Sequence, residues 1–253
     1  MASPGAATVE KALDVLFHLH DAGSALGLSE IGRALDLPKS SCHRLLVSLV
    51  NREMVERDDA GHYRPGLALL SLGIGAQSRE PVVAAARRIL EELAVVLGET
   101  VFVVGLRHGQ LRVLDKVEGP GFLRAAPGVG DLIPDDVTAV GKLYRVFGES
   151  GLSDVGHSSE SLEIEERDVS RVGYATNRDA WIDGLSVLAV PIWQEGGRAP
   201  RRMVGALALA SASARFDVLG EGAIADQLQD GAERVAASLG TNHRSARAAR
   251  AGR

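Results

Sequence analysis

The segment that decides the fold is "LDLPKSSCHRLLVSLVNREMVERD", residues 35–58. Its apolar residues recur at helical spacing and predict one buried stripe along a helix: Cys42, Leu45, Leu46, Leu49 and Val50. Pro38 suits the start of that helix because it has no N–H to leave unpaired. The small polar and basic side chains lie off the stripe: Lys39, Ser40, Ser41, His43, Arg44 and Ser48. Taken alone, the stretch is consistent with an ordinary amphipathic helix or with a recognition helix that reads DNA.

The preceding segments favour the recognition helix. "TVEKALDVLFHLHDAGS" predicts a first helix with Thr8 as its N-cap and Gly23 at its end. We expect its buried side to consist of Val9, Ala12, Leu13, Leu16, Phe17 and Leu19. "LSEIGRALDLP" predicts a short second helix, capped by Ser29, whose inward residues are Ile31, Leu35 and Leu37. A helix, a short turn and a polar-faced helix follow one another in the helix-turn-helix motif.

The segment after the third helix predicts a β-hairpin. "MVERDDAGHYRPG" contains two short extended runs, Met54–Arg57 and His62–Arg64, around the turn residues Asp58–Gly61. A hairpin in this place is a wing, whose basic side chains can reach the DNA backbone or a minor groove: Arg57, His62 and Arg64. Acidic residues are almost as frequent as basic residues between positions 39 and 64. Contact with DNA therefore depends on the polar face of the third helix being free of nearby carboxylates.

A linker helix is predicted next, over Leu67–Arg79, in "LALLSLGIGAQSRE". Its apolar residues surround almost the whole helix: Leu67, Leu69, Leu70, Leu72 and Ile74. A helix that is apolar all round must be buried. We expect a partner chain to cover it in a dimer, with packing inside its own domain as the alternative.

The remaining sequence predicts an α+β domain with a single antiparallel sheet. "PVVAAARRILEELAVVLGET" predicts a helix that ends near Gly98, and "TVFVVGLRHGQLRVLDKVEG" predicts two strands about a turn at Gly109. "LSVLAVPIWQEG" and "RRMVGALALASAS" predict two more strands, and "SLEIEERDVSRVGYA" a helix that stops at Gly173. The last predicted helix covers about Val218–Leu239, and the basic segment "NHRSARAARAGR" is predicted to be disordered.

Composition narrows the class of protein. The chain has 253 residues, 45% of them hydrophobic, which is enough for two globular domains. A formal net charge of −5 means that any DNA contact must come from a local basic patch. The single cysteine, Cys42, excludes an intramolecular disulfide and a cysteine-based zinc site. With no signal peptide or membrane span in view, we expect a cytoplasmic protein.

The ordered set of segments resembles the IclR family of bacterial transcription regulators. The resemblance rests on "TVEKALDVLFHL", "LSEIGRALDLPKSSCHRLLVSLVNREMVERD" and "YRPGLALLSLG", followed by "TAVGK", "RVGYATNRDAWIDGLSVLAVPI" and "GALALASASARF". It implies a winged helix-turn-helix domain (1–66), a linker helix (67–80), a GAF-like α/β effector-binding domain (81–241) and a basic disordered tail (242–253). Such a protein is a dimer or tetramer that binds near-palindromic operator DNA of a metabolic operon, more often as a repressor, under the control of a small effector.

The resemblance also assigns roles at the DNA. The helix from Lys39 to Arg52 is expected to enter the major groove with its first residues at the base edges. We expect Arg44 to make a bidentate contact with guanine. Lys39, Ser40 and Ser41 are expected to position the helix on phosphates.

By the same resemblance, the effector pocket is lined by Phe122, Ala125, Ala139, Val140, Gly141, Asn177, Leu185, Val187, Ala208 and Ala210. Members that bind small acids tend to carry an acid near Asn177 and hydroxyl or thiol groups near Val187, Ala208 and Ala210, and these groups are missing here. Backbone N–H groups near Gly141 could hold a carboxylate. The sequence therefore favours an apolar or aromatic metabolite. The alternative is a degenerate pocket that senses no metabolite.

An enzyme is the remote alternative. Cys42 and His43 are neighbours that point about 100° apart on a helix, so they cannot form a dyad. The acids in "ESLEIEERD" and at Asp135-Asp136 have the pattern of solvated faces, and His18 and His20 lack a third ligand at metal spacing. We therefore predict no catalytic residues, no cofactor and no metal site.

Overall fold

The computed structural model describes residues 6–121, 127–148, 160–194 and 200–251. The chain forms two compact units, Met1–Ala76 and Gln77–Arg253. The boundary between them falls inside the segment 67–80, which the sequence predicts as a linker. The predicted pairing of a helix-turn-helix unit with an α+β unit is confirmed.

The first unit consists of helices and one small hairpin. Its elements are α1 (Ala7–Asp21), α2 (Leu28–Ala34), α3 (Lys39–Val50), β1 (Val55–Arg57), β2 (Tyr63–Pro65) and α4 (Leu67–Gln77), the last residue of which begins the second unit. The core contains Val15, Leu19, Ile31, Cys42, Leu46, Val55 and Tyr63. The predicted apolar stripe of α3 is confirmed, because Leu45, Leu49 and Val50 pack against this core.

The predicted buried face of α1 is largely wrong. Val9, Leu13 and Phe17 are 58%, 47% and 64% exposed, whereas Val15 and Leu19 are buried. The helix carries two apolar faces, and the core of the unit covers only one of them. The Thr8 cap is also wrong, since α1 begins at Ala7 and Ala6 is its N-cap.

The start of α2 differs from the prediction in the same way. Its N-cap is Gly27, and Ser29 lies inside the helix. The Gly27 N–H donates to Glu30 Oε2 at 2.6 Å. This carboxylate pairs the N–H of the N-cap residue, as the N3 side chain of a capping box does, although Gly27 has no side chain to accept from the helix in return.

The linker helix α4 ends at Gln77, two residues before the predicted end. No residue of α4 is buried, and four of its apolar side chains are between 57% and 63% exposed: Leu67, Leu70, Leu72 and Ile74. Packing within its own domain, which the sequence left open, therefore does not cover these four side chains.

The second unit is built on one antiparallel sheet, in the order β5-β4-β3-β8-β7-β6. Its elements are α5 (Pro81–Leu97), β3 (Thr100–Arg107), β4 (Gln110–Val117), β5 (Leu132–Ile133), α6 (Ala139–Phe147), α7 (Glu160–Val172), β6 (Ala175–Arg178), β7 (Leu185–Gln194), β8 (Arg202–Ala212), α8 (Ser213–Leu219) and α9 (Glu221–Ala251). The helices α5 and α9 cover one face, where β7 contributes Leu188 and Val190. The helices α6 and α7 lie over the other face, where β7 contributes Val187 and Ala189.

The C-terminal part of the chain requires two corrections. The predicted helix from Val218 is interrupted at Gly220, whose φ of +81° separates α8 from α9. The backbone of α9 then continues to Ala251, where the sequence predicts a disordered tail from residue 242. Alanine and arginine, which dominate this segment, are both strong helix formers.

Candidate DNA-binding and effector sites

The helix-turn-helix places α3 on the surface with its polar face outward. A tight turn between α2 and α3 is closed by a hydrogen bond from Leu37 N to Gly32 O at 2.8 Å. A Cβ on Gly32 would lie 3.2 Å from the Leu37 carbonyl oxygen, so the absence of a side chain allows this close approach. The turn thus fixes the direction in which α3 leaves α2.

The predicted DNA-contacting side chains of α3 lie together on this polar face. Lys39, Ser40, His43, Arg44 and Ser48 are exposed, and Ser41 is half-buried. Among the residues that the structure describes, no carboxylate forms an ion pair with Lys39, His43 or Arg44. The Ser48 hydroxyl donates to the Arg44 carbonyl oxygen at 3.0 Å, so its proton is used within the helix. The basic side chains of α3 therefore keep their charge available.

The wing differs from α3, because its basic side chains have partners within the hairpin. The pairs are Arg57 with the Tyr63 ring, His62 with Asp58, and Arg64 with Glu56. Arg64 Nε and Nη2 lie 3.1 and 2.9 Å from the same Glu56 Oε2 atom. The predicted wing hairpin is confirmed in its strands. The hairpin also carries three acids, Glu56, Asp58 and Asp59, against two arginines, so its formal net charge is not positive.

The predicted effector residues that the structure describes lie on one face of the sheet. Asn177, Val187 and Ala210 are neighbours across β6, β7 and β8. Leu185 and Ala208 lie on the same face, beneath the start of α6, which supplies Ala139, Val140 and Gly141. Phe122 and Ala125 lie outside the described residues. The structure thus brings together eight of the ten predicted residues, all of them buried.

The sequence suggested a carboxylate site at the backbone N–H groups near the start of α6. The Gly141 N–H donates to Thr138 Oγ1 at 3.1 Å, and the Ala139 N–H donates to Asn177 Oδ1 at 2.9 Å. These two N–H groups are therefore already paired within the protein. A Cβ on Gly141 would overlap the Asp135 carbonyl group, so Gly141 serves the close packing of α6.

Asn177 retains an unused amide NH2 group, which carries two N–H donors. Its side chain is 4% exposed, and its Nδ2 atom has no hydrogen-bond partner among the described residues. Alanine is frequent around it, with Ala189 opposite Ala208 in the register of β7 and β8. The site combines small apolar side chains with one buried amide NH2 group.

Sequence reasoning missed three contributors to this face. Thr138 caps α6, and Trp181 and Ile182 pack against the same apolar cluster from the loop between β6 and β7. A threonine directly before "AVGK" is a recognisable N-cap signal. The two loop residues carry no such signal, because their contact depends on how the loop folds back on the sheet.

The structure gives no support to the catalytic alternatives. Cys42 is buried in the core of the first unit, and burial raises the pKa of its thiol, so it is a poor nucleophile. No group of three or more potential metal ligands occurs among the residues that the structure describes. A helix with the length and apolar character needed to cross a membrane is also absent from the described part of the chain.

Comparison with known proteins decides the family. A family model described as the IclR helix-turn-helix domain matches residues 8–59. The glycerol operon regulatory protein of Streptomyces coelicolor is 30% identical over 234 residues, which cover 85% of this chain and 88% of that protein. The chain belongs to the IclR family of transcription regulators. The HTH-type transcriptional regulator XynR of Escherichia coli is similar to it over more of its length, with 26% identity over 249 residues, 92% of this chain and 97% of that protein.

Solved structures of IclR-family proteins share the fold. Thermotoga maritima IclR matches with a TM-score of 0.77 and 22% identity over 92% of this chain and 98% of that one. An IclR homologue from Microbacterium hydrocarbonoxydans, complexed with 4-hydroxybenzoate, also matches with a TM-score of 0.77, at 19% identity over 92% of this chain and 99% of that one. The arrangement of an N-terminal helix-turn-helix before an α+β unit is thus that of the IclR family.

Proposed function

We propose that this IclR-family regulator represses a metabolic operon by binding its operator, and that a small molecule bound in the second unit controls this binding. The observation that carries the proposal is the polar face of α3, where Lys39, His43 and Arg44 are exposed and have no acidic partner among the described residues. In this proposal the protein acts through binding and not through catalysis. No cofactor is needed for either step.

At the DNA, α3 lies in the major groove with its first turns at the base edges. Arg44 reads guanine through two hydrogen bonds, which contributes about 1–3 kcal/mol of discrimination. Lys39, Ser40 and Ser41 hold the helix on the phosphates. The wing adds a smaller electrostatic contribution, because Glu56 offsets the charge of Arg64.

Two chains bind one operator. The exposed side chains of α4 and the second apolar face of α1 both belong to the first unit, and both gain if a second copy covers them. A homodimer places two reading helices about one DNA turn apart, roughly 34 Å, or a multiple of that distance. The operator is then nearly palindromic. A homotetramer, as a dimer of such dimers, is the alternative assembly.

The effector site in the second unit favours a ligand with an apolar or aromatic body and one hydrogen-bond acceptor. Leaving the Asn177 NH2 group unpaired in a buried site costs about 1–3 kcal/mol, and an acceptor on the ligand lowers this cost. Alanine lies opposite alanine in the register of β7 and β8, and a wall of small apolar side chains suits an apolar group on the ligand. The 4-hydroxybenzoate complex of the Microbacterium homologue makes aromatic acids the first compounds to test.

A thermal-shift screen tests the effector. A ligand at about a hundredfold excess over its dissociation constant stabilises the folded state by about 2.7 kcal/mol. We expect an aromatic compound to raise the melting temperature of the wild-type protein and to raise it less in Asn177→Leu. If no aromatic or aliphatic compound shifts the wild-type protein, the alternative of a regulator without a metabolite replaces the sensor.

The DNA-binding step is tested separately on a labelled fragment from upstream of the protein's own gene. We expect binding that resists unlabelled unrelated DNA, with a steep dependence on salt concentration. Release of the fragment by a small excess of unrelated DNA would contradict sequence-specific binding to this fragment.

A further inference from the structure

A series of hydrogen bonds and one ion pair connects helix α6 to segment 77–80, which directly follows the first unit in the sequence. Tyr144, in the second turn of α6, accepts a hydrogen bond from Leu106 N at 3.1 Å. The pairing of β3 with β8 extends only as far as Val104. On this side of β3 the Tyr144 hydroxyl therefore accepts the hydrogen bond from Leu106 N that β8 does not accept. Burial raises the pKa of Tyr144 to about 12, which keeps the hydroxyl neutral at any physiological pH.

The next residue continues the connection. Arg107 Nη1 donates to the Leu106 carbonyl oxygen at 2.8 Å, and Arg107 Nη2 lies 2.5 Å from Glu80 Oε1. Glu80 is the N-cap of α5, and its own N–H donates to the Gln77 carbonyl oxygen at 3.1 Å. Both backbone groups of Leu106 are therefore tied, one toward α6 and the other toward the start of α5.

A buried carboxylate holds the other end of the same segment. Asp115 is 1% exposed, and its Oδ1 atom accepts from Gln77 Nε2 at 3.0 Å and from Arg87 Nη1 at 3.1 Å. A β-bulge between Val103 and Val104 shifts the register of β3 and β4 beside Asp115. Gln77 and Glu80, at the two ends of segment 77–80, are thus both fixed to the β3–β4 hairpin.

The same helix begins at the proposed effector site. Its first N–H, on Ala139, donates to Asn177 Oδ1. The Nδ2 atom of the same side chain is the group that we propose to bind the ligand. A nine-residue helix moves as a rigid element, so a change at Ala139 also moves Tyr144. Segment 77–80 directly follows the unit that carries α3 in the sequence.

We propose that Tyr144 and Arg107 are positioning residues that transmit a change at Asn177 through α6 to segment 77–80, and thereby set the affinity for operator DNA. This inference rests on the proposed function. It requires a coupling between Asn177 and Tyr144 that the other tyrosine of the unit, Tyr174, does not share.

A double-mutant cycle tests the coupling without a known ligand. Asn177→Ala removes the acceptor for Ala139 N–H and stands for a change at the effector site. Tyr144→Phe removes only the hydroxyl that meets Leu106. Tyr174→Phe is the matched control, since it also removes one hydroxyl, which lies 3.1 Å from Glu221 Oε1 and has no contact with segment 77–80.

Operator affinity is measured for each variant on the tightest DNA sequence that the wild-type protein selects from a random pool. We expect Asn177→Ala to change this affinity by about 2- to 30-fold in the wild-type and Tyr174→Phe backgrounds, and by less than about twofold with Tyr144→Phe. Glu80→Gln, which breaks the pair with Arg107 at a partly exposed position, should reproduce the effect of Tyr144→Phe if that variant does not fold.

Equal effects of Asn177→Ala in all backgrounds, or no effect in the wild-type background, would overturn the inference and leave operator binding intact. A wild-type protein that selects no DNA sequence would instead overturn the proposed function and this inference with it. Thermal unfolding of each variant separates loss of coupling from loss of structure, because a merely structural role changes stability without changing the cycle.

Discussion

At the scale of single residues, charge pairing separates α3 from the wing. The sequence places basic side chains on both elements, and residues 39–64 contain almost as many acidic as basic residues. Glu56 lies directly across the hairpin from Arg64, in the register of β1 and β2, whereas Arg44 meets no acid among the described residues. Strand register and helix face, and not composition, therefore decide which basic side chains remain available to DNA.

Arg44→Ala should relax the sequence preference of the protein. The change removes two hydrogen bonds to one base, so affinity for the selected operator should fall by about 1–3 kcal/mol, with a smaller loss on unrelated DNA. Competition binding at fixed salt concentration measures both. Lys39→Ala is the control on the same helix, and it should weaken all DNA alike and lower the salt slope by about one. An equal loss on all sequences for both variants would remove Arg44 as the base reader.

Glu56→Gln should strengthen binding to unrelated DNA. The substitution removes the negative charge beside Arg64 and keeps a side chain of the same size, so one more positive charge becomes available to phosphates. The salt slope on unrelated DNA should steepen by about one. Arg64→Ala in the Glu56→Gln background should reverse the gain. If affinity for unrelated DNA stays the same in Glu56→Gln, Arg64 does not contact phosphate.

At the scale of elements, length and a clear apolar pattern decide what the sequence can predict. The helix α3 has a helical period and the strands β7 and β8 are long continuous apolar runs, and all three lie where the sequence predicts them. The strand β6 and the helix α6 have only 4 and 9 residues, and the sequence analysis did not identify them as elements. Both depend on contacts distant in the chain, such as the hydrogen bond between Ala139 and Asn177.

The effector site shows the same limit. Residue types and the resemblance identified the apolar face around Ala208, and the structure gathers those residues as expected of neighbours in one sheet. The pairing of the N–H groups of Ala139 and Gly141 was not predictable, because it depends on Thr138 and Asn177 meeting α6 in three dimensions. The carboxylate site suggested near Gly141 stays a prediction, although the Gly141 N–H itself is already paired.

Gly141→Ala should destabilise the second unit. A Cβ at this position would overlap the Asp135 carbonyl group, and overpacking of this kind costs about 1–3 kcal/mol. Gly240→Ala is the matched control, since the added Cβ in α9 meets nothing within 4 Å and should stabilise the helix by about 0.5–1 kcal/mol. Urea unfolding of the two variants measures the difference. A stable Gly141→Ala variant would mean that α6 packs less closely on Asp135.

Leu70→Glu should weaken dimerisation. Leu70 is 59% exposed on α4, and a charge buried there by a second copy costs about 2 kcal/mol or more. Sedimentation velocity over a concentration series should show at least about a tenfold rise in the dimer dissociation constant, as that cost implies. Ser71→Glu adds the same charge to an exposed polar position of the same helix. Identical behaviour of the two variants would exclude Leu70 from the interface.

At the scale of the whole molecule, our proposal assigns DNA reading and effector sensing to different units of one acidic chain. The net charge of −5 opposes unspecific attraction to DNA, so the proposed affinity depends on the few basic side chains of α3 and on the two copies of them that a dimer would supply. Membership of the IclR family agrees with this division, since the helix-turn-helix match ends at residue 59, before the second unit begins. The proposed control by an effector would require a physical link between the units, for which α6 and segment 77–80 are our proposal.

The most direct test of sequence-specific reading is a selection of bound DNA from a random pool, followed by sequencing of the bound molecules. We predict enrichment of one inverted repeat with half-site centres about 10 base pairs, or a multiple of that, apart. We also predict that Arg44→Ala loses the preference at one position in each half-site. A bound pool that stays random after repeated rounds, at a salt concentration where the wild-type protein still binds DNA, would contradict the assignment of α3 as the reading helix.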